Sequence, residues 1–189
     1  MDLVLFGIQG SGKGTQAQRL CRELGYYLFE AGGELRAIAA SGTELGETVK
    51  SYIDVGKLVP FAIIMQVVRE AIVAQPPDQR ILFDGIPRDE DQMRAFDAIM
   101  QDVGRAFRCI QILLDEAEAV QRILGRAAEQ GRADDADETI IRKRMDTFRS
   151  KTLPVIQAYA QQGKLSEVDG SGGMDEVYER ITHTVNTFI

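Results

Sequence analysis

Histidine is almost missing from this chain: of 189 residues one is a histidine, His183, near the C-terminus. It reads as a surface or helix-packing residue, not a working base. Cysteine is scarce too, with Cys21 and Cys109 far apart in apolar periodic segments. They read as reduced core residues of a cytoplasmic protein, not as a disulfide framework. No four-ligand zinc set can be assembled. No apolar run approaches the roughly 20 residues a membrane helix needs. Met1 leads straight into a predicted strand, so no signal peptide is expected. Positive charge is in deficit: 22 Lys and Arg against 29 Asp and Glu give a net charge of −7, which speaks against a general nucleic-acid surface. Any anion must therefore be bound by arginines brought together locally. Repeats and low-complexity tracts are absent. With 44% hydrophobic residues the chain can bury a proper core, and its length suits one domain over 1–189.

What is present begins with Leu3–Thr15. Leu3 to Phe6 are apolar at every position, as in a strand buried on both faces. Gly7, Gly10, Gly12 and Lys13 follow, and glycines let backbone N–H groups curl inward toward one centre. After Gly14 the pattern turns helical, with Ala17, Leu20, Cys21 and Leu24 on one face. Strand, glycine loop and helix N-terminus together make a phosphate cradle. The pattern G-x-x-x-x-G-K-[ST] is met up to Lys13 and then missed by one position, since Gly14 precedes Thr15.

Further along, Tyr26–Phe29 reads as a short strand and Ala31–Ala40 as a helix with Leu35, Ile38 and Ala39 inward. Thr43 is a predicted N-cap for a helix carrying Leu45, Val49, Tyr52 and Ile53, ended by Gly56. Pro60 suits the first turn of the next helix, which runs to about Ala74 and is apolar nearly all round, as if buried. Ile81–Phe83 is a second buried strand, closed by Asp84-Gly85-Ile86-Pro87-Arg88. Binding groups of a parallel sheet gather at strand C-terminal ends, so Asp84 and Lys13 are expected to converge. Met93, Phe96, Met100 and Val103 mark a helix, and Cys109–Leu114 a third strand. Asp115 with Glu118 has capping-box spacing, before a helix burying Val120, Ile123 and Leu124. Arg122 and Arg126 share another face of it. Ala127–Ala133 reads as a polar connection, and Asp135 with Glu138 as a second capping box. Ile141, Met145, Phe148 and Thr152 form one stripe of a long helix that Pro154 should kink or divide. Leu165–Val168 is a weak last strand, and Val177, Ile181, Val185 and Phe188 line a final helix. Strands alternating with helices predict an α/β fold with a parallel sheet.

Several motifs stand in a fixed order: Gly7–Thr15, Gly32 to Arg36, Gly56-Lys57-Leu58-Val59-Pro60, Asp84 to Arg88 with Gln92, Arg122 and Arg126, Gly131-Arg132 with Asp134-Asp135, and Arg142-Lys143-Arg144. Over essentially the whole chain this set resembles the adenylate kinase family, within the nucleoside monophosphate kinases, where Thr15 following Gly14 is normal. The resemblance implies a P-loop three-layer α/β/α fold with a five-stranded parallel sheet. It also implies a helical monophosphate-binding region near 30–59 and a short lid at 127–137, without the zinc-binding cysteine cluster of longer lids. The implied reaction is ATP + AMP ⇌ 2 ADP with Mg²⁺, carried out by a monomer. By the same resemblance, Lys13 and the Gly10, Ser11, Gly12, Gly14 and Thr15 backbone hold the ATP phosphates. Arg122 packs against the ATP adenine, and Arg126 and Gly170 complete that site. Arg126, Arg132 and Arg144 close on the transferred phosphoryl, while Arg36 and Arg88 grip the monophosphate. Ala31, Gly32, Lys57, Leu58, Val59, Gly85 and Gln92, with Arg132 and Arg144, complete the acceptor pocket. Lys13, Arg88, Arg126, Arg132 and Arg144 are the expected catalytic set. Asp84 would orient Mg²⁺ through water ligands, and Asp134 and Asp135 would orient lid arginines and cap the next helix. The attacking phosphate oxygen is largely ionised at neutral pH, its second pKa being about 6, so no general base is required.

The chain departs from the family pattern at Gln9 (usually Pro), Ala31 (commonly Thr), Gly33 (usually Asp) and Ile86 (usually aromatic). Loss of a hydroxyl contact at Ala31 would cost about 0.5–1.5 kcal/mol, enough to loosen base choice without abolishing activity. A kinase for UMP, CMP or another monophosphate is therefore one alternative, against which Gln92 tilts toward AMP. Gln92 also follows Asp89 at capping-box spacing. A non-catalytic nucleotide-binding scaffold is another alternative, against which Lys13, Asp84 and the arginines count. A GTPase-like switch lacks its Asn-Lys-x-Asp pattern.

Overall fold

The apolar run at the N-terminus forms β1, Asp2–Gly7, in a computed structural model that describes residues 1–130 and 138–188. β1 is the middle of five parallel strands. Its neighbours are β3, Ile81–Asp84, and β4, Phe107–Leu113; β2, Tyr27–Glu30, and β5, Leu165–Asp169, lie outside them, in the order β2-β3-β1-β4-β5. Alternate side chains of a strand face opposite ways, and both faces of β1 are covered. Leu3 and Leu5 join one core, Val4 and Phe6 the other. Each large apolar side chain so buried contributes about 1.5–3 kcal/mol.

The first core packs the sheet against α1, Lys13–Leu24, and α9, Met174–Asn186, through Leu20, Val177 and Ile181. The second packs it against α4, Phe61–Val73, α5, Glu90–Asp102, and α8, Leu153–Gln161. Edge-on rings run through that layer: Phe83 to Phe96 at 5.0 Å, Phe96 to Phe107 at 5.1 Å and Phe107 to Tyr159 at 5.6 Å between centroids. The three-layer α/β/α arrangement is the one expected. Both cysteines are free, and burial pushes the Cys21 thiol up to about 11. Among the described residues no helix is long and apolar enough to cross a membrane.

The remaining helices are α2, Ala31–Ala39, α3, Glu44–Ile53, α6, Glu116–Gln130, and α7, Glu138–Thr147. Thr43 caps α3 as expected, its hydroxyl accepting from the Gly46 amide at 3.1 Å. After α7 the chain makes one π turn, Phe148–Thr152, before α8. Pro154 has no N–H for an α-type bond and its ring crowds the carbonyl four residues back. The long predicted helix is therefore divided there.

Several expectations need correction. α4 is buried along one face only, through Ile64, Met65, Val68 and Ile72; Phe61 and Val73 are exposed. Pro60 is its N-cap and not a first-turn residue. Leu124, expected on the buried face of α6, is exposed, as is Leu45 of α3; α6 buries Ile123 as expected and Ala119 besides, with Val120 half-buried. Leu35, Ile38 and Ala39 of α2, expected inward, are half-buried. α6 continues to Gln130, so residues 127–130 are helical where a connection was predicted. The second capping box, starting at Asp135, lies outside the described residues.

Candidate active site

The glycine loop between β1 and α1 is seated by a third apolar cluster, in which Ile8 meets Ala119 and Ile123 of α6 and Ile141 and Met145 of α7. The Ser11 amide donates to the Ile8 carbonyl at 3.0 Å, closing the turn. Gly10 and Gly12 take left-handed φ values of 87° and 85°, and a β-carbon on Gly10 would strike the Ala119 carbonyl. Gly12 is the N-cap of α1, so the helix starts at Lys13 with its first-turn amides beside the loop. Those amides lack intrahelical partners and carry the positive end of the helix dipole. The Lys13 ammonium folds back over the loop, 3.5 Å from the Ile8 carbonyl.

A cleft of about 410 Å³ opens at the C-terminal ends of β1, β2 and β3. Gly10, Gly12, Lys13, Gly14 and Thr15 line one side. Ala31, Gly32, Arg36, Lys57, Leu58, Val59, Gly85, Arg88, Gln92 and Arg144 line the rest. Its charged lining among the described residues is five cations, Lys13, Arg36, Lys57, Arg88 and Arg144, and two carboxylates, Glu30 and Asp84. In a chain of net charge −7 this local excess of cations marks an anion site.

Asp84 ends β3 and is 8% exposed. Burial pushes its carboxyl above the ordinary carboxylate range; Lys13 and Arg88 pull it back, and Glu30 adds to the rise. Arg88 opens onto the cleft, yet protein surrounds it closely. Loss of bulk water, with repulsion from Arg144 and Arg36, lowers its guanidinium, and Asp84 opposes that. Gly85 lets the turn form: at φ 85° it has no β-carbon, and the Arg88 guanidinium folds over it, Nε donating to the Gly85 carbonyl at 2.7 Å. Three arginines thus converge near one carboxylate at the strand ends. Such forks bind phosphate oxygens in pairs.

Gln92 divides its functions. Its backbone N–H donates to Asp89 Oδ1 at 2.9 Å. Its own Oε1 accepts from the Arg88 N–H at 2.8 Å. Gln92 therefore completes the cap of α5 and fixes the Arg88 backbone while also lining the cleft. The Asp115 cap forms as expected, accepting from Ala117 and Glu118 amides at 2.9 and 3.3 Å. Glu118 is drawn instead to Arg122, 2.6 Å away, because the two stand one turn apart on α6.

Some expected residues are not in the cleft. Ser11 is buried in the loop, its hydroxyl without a hydrogen-bond partner. Arg122 and Gly170 lie to one side, where Arg122 Nη2 approaches the Gly170 carbonyl at 3.4 Å. Gly170 is buried, its amide bonded to Leu113 at 2.7 Å, with no room for a side chain. Arg126 follows Arg122 by one turn of α6; its side chain is outside the described part. Arg132, Asp134 and Asp135 lie outside the described residues, with most of the expected lid.

Glu30 and Thr152 are cleft residues that escaped the motif reading. Glu30 ends β2 as the register partner of Asp84, and its carboxylate accepts from Arg36 Nη2 at 2.9 Å. Thr152, placed on an apolar stripe, lines the cleft from the π turn and donates to the Arg88 carbonyl at 2.9 Å. The rule that pointed to Asp84, a polar residue at a strand's C-terminal end, applied equally to Glu30. Thr152 left no signal, since its partner is distant in sequence. As for a metal, no group of three or more His, Cys, Asp and Glu comes together among the described residues. The buried Asp84 carboxylate suits a cation that brings its own water and phosphate ligands, as Mg²⁺ does.

The sequence profile of the adenylate kinase family matches residues 5–164. The chain is 42% identical to the adenylate kinase of Maricaulis maris over 178 residues, 94% of each chain. It is 41% identical to that of Thermus thermophilus over 180 residues, 95% of this chain and 94% of the other. With the adenylate kinase of Phocaeicola vulgatus it shares 36% identity over 189 residues, 98% of each.

Proposed function

The chain belongs to the adenylate kinase family, and from that premise we propose how its residues divide the work of the reaction ATP + AMP ⇌ 2 ADP. It is a nucleoside monophosphate phosphotransferase. The observation that carries the assignment of roles is the convergence of Lys13, Arg36, Arg88 and Arg144 on the cleft around Asp84.

Two highly charged nucleotides have to be brought in line against their own repulsion. Catalysis of this kind rests on positioning and electrostatics. Lys13 and the amides from Gly10 to Thr15 receive the ATP phosphates, with Arg122 and Gly170 beside the loop toward the adenine. Arg36 and Arg88 hold the phosphate of AMP, and Arg144 draws the transferred group between them, with Arg126 and Arg132 added from α6 and the lid. Gly85 and Gln92 keep Arg88 in place, so its charge needs no rearrangement during transfer. Ala31, Gly32 and Lys57-Leu58-Val59 wall the acceptor side. The segments 30–59 and 127–137 act as acceptor region and lid. Asp84 would hold Mg²⁺ through water, and the ion would supply charge neutralisation between the phosphates. An acceptor phosphate already ionised at neutral pH, with a second pKa of about 6, needs no proton removed. The two free cysteines favour a reducing, cytoplasmic setting.

The test is ADP formation from ATP·Mg²⁺ with AMP, UMP, CMP and GMP in parallel. Preference for AMP is the expected result. Preference for another acceptor would move the Ala31 and Gln92 assignments while keeping the phosphate-binding ones. No transfer to any acceptor would overturn the catalytic reading.

A further inference from the structure

Glu30 is out of place in an anion-binding cleft. Apart from Asp84, every other charged residue lining that cleft among the described residues is a cation. Its carboxylate instead sits on one of the cations: Oε1 accepts from Arg36 Nη2 at 2.9 Å. The pair is not locked away, because the Glu30 and Arg36 side chains are 35% and 45% exposed. An exposed pair of this kind is weak and separable. Gly33 stands beside it: a β-carbon there would make ordinary contact with Glu30 Oε2 at 3.5 Å.

We propose that Glu30 is an internal competitor for Arg36. The carboxylate occupies the guanidinium while the acceptor pocket is empty, and the phosphate of the incoming monophosphate displaces it. Glu30 thereby sets the affinity of the acceptor. The inference rests on the reading that Arg36 holds the acceptor phosphate. A dianionic phosphate prevails for two reasons. It carries twice the charge of the carboxylate, and it can engage Arg88 and Arg144 together with Arg36. A singly charged anion meets a rival of equal charge and gains little.

The experiment is calorimetric titration of AMP into the wild-type protein, Glu30→Gln, Arg36→Gln and the double variant, with thermal melting as the check on folding. Glu30→Gln is expected to bind AMP about fivefold tighter or more, and the gain is expected to vanish in the Arg36→Gln background. Glu30→Ala, read the same way, serves if the glutamine variant does not fold. AMP binding that is no tighter in Glu30→Gln, or a gain that survives loss of Arg36, overturns the proposal. If Arg36→Gln alone leaves AMP binding unchanged, the acceptor role of Arg36 fails first, which separates the two failures.

Discussion

Thr152 and Arg88, 64 residues apart in sequence, are joined by a hydrogen bond in which the threonine hydroxyl donates to the arginine carbonyl at 2.9 Å. The π turn after α7 is thereby tied to the loop after β3. Thr152→Val keeps the shape and removes the donor. It should cost about 0.5–1.5 kcal/mol of stability. With the Arg88 loop loosened, KM for AMP should rise about threefold or more while KM for ATP holds. Melting curves and steady-state kinetics check both.

Lys13 and Arg88 line one cleft, and both act electrostatically on Asp84. Lys13→Ala and Arg88→Ala should each lower turnover by at least about a hundredfold, with circular dichroism showing the fold retained. Near-normal turnover in either variant would remove that residue from the catalytic set.

Asp84 ionises less readily in the folded protein than in the unfolded chain, because burial outweighs the pull of Lys13 and Arg88. A folded-state pKa above the ordinary 3.8 means that the native state binds the proton more tightly. Stability from this group is therefore lost as pH rises from about that value through the raised one, and the deficit persists at neutral pH. Asp84→Asn should be at least as stable as the parent at neutral pH and should lose that part of the pH dependence. Its turnover should fall by at least about a hundredfold, since the Mg²⁺-orienting charge is gone. Urea denaturation across acidic and neutral pH, with parallel rate assays, decides; a clearly destabilised Asn variant would contradict the burial argument.

Gly10→Ala and Gly25→Ala form a matched pair. Both glycines have positive φ, 87° and 73°, but a β-carbon at Gly25 meets nothing within 4 Å while one at Gly10 runs into α6. Both variants should lose about 1 kcal/mol from strain. Gly10→Ala alone should lose more than that and weaken ATP binding as the loop shifts off Ala119. Nucleotide titration and melting temperatures measured side by side test this.

The strands were legible because β1, β3 and β4 are buried on both faces, and continuous apolar runs follow from that. The phosphate loop was legible because its glycines and Lys13 act through local backbone geometry. Errors gathered where burial depends on the neighbour and not on the period. Leu124 belongs to an apolar stripe of α6, yet that helix meets the loop through Ala119 and Ile123, leaving Leu124 exposed. Phe61 and Val73 extend an apolar helix beyond the face that its partners cover.

By itself, the sequence determined the alternation of strands and helices, the phosphate loop, the caps at Thr43 and Asp115 and the division at Pro154. All of these rest on interactions within a few residues. The tertiary structure alone decided the strand order that puts β1 at the centre. It decided the meeting of Arg36, Arg88 and Arg144 at one cleft, the tie from Thr152 to Arg88 and the pairing of Glu30 with Arg36. Those depend on parallel strands joined through helical crossovers, which bring the ends of distant segments together. Charge and hydrogen bonding act on that final distance, and no local pattern encodes it.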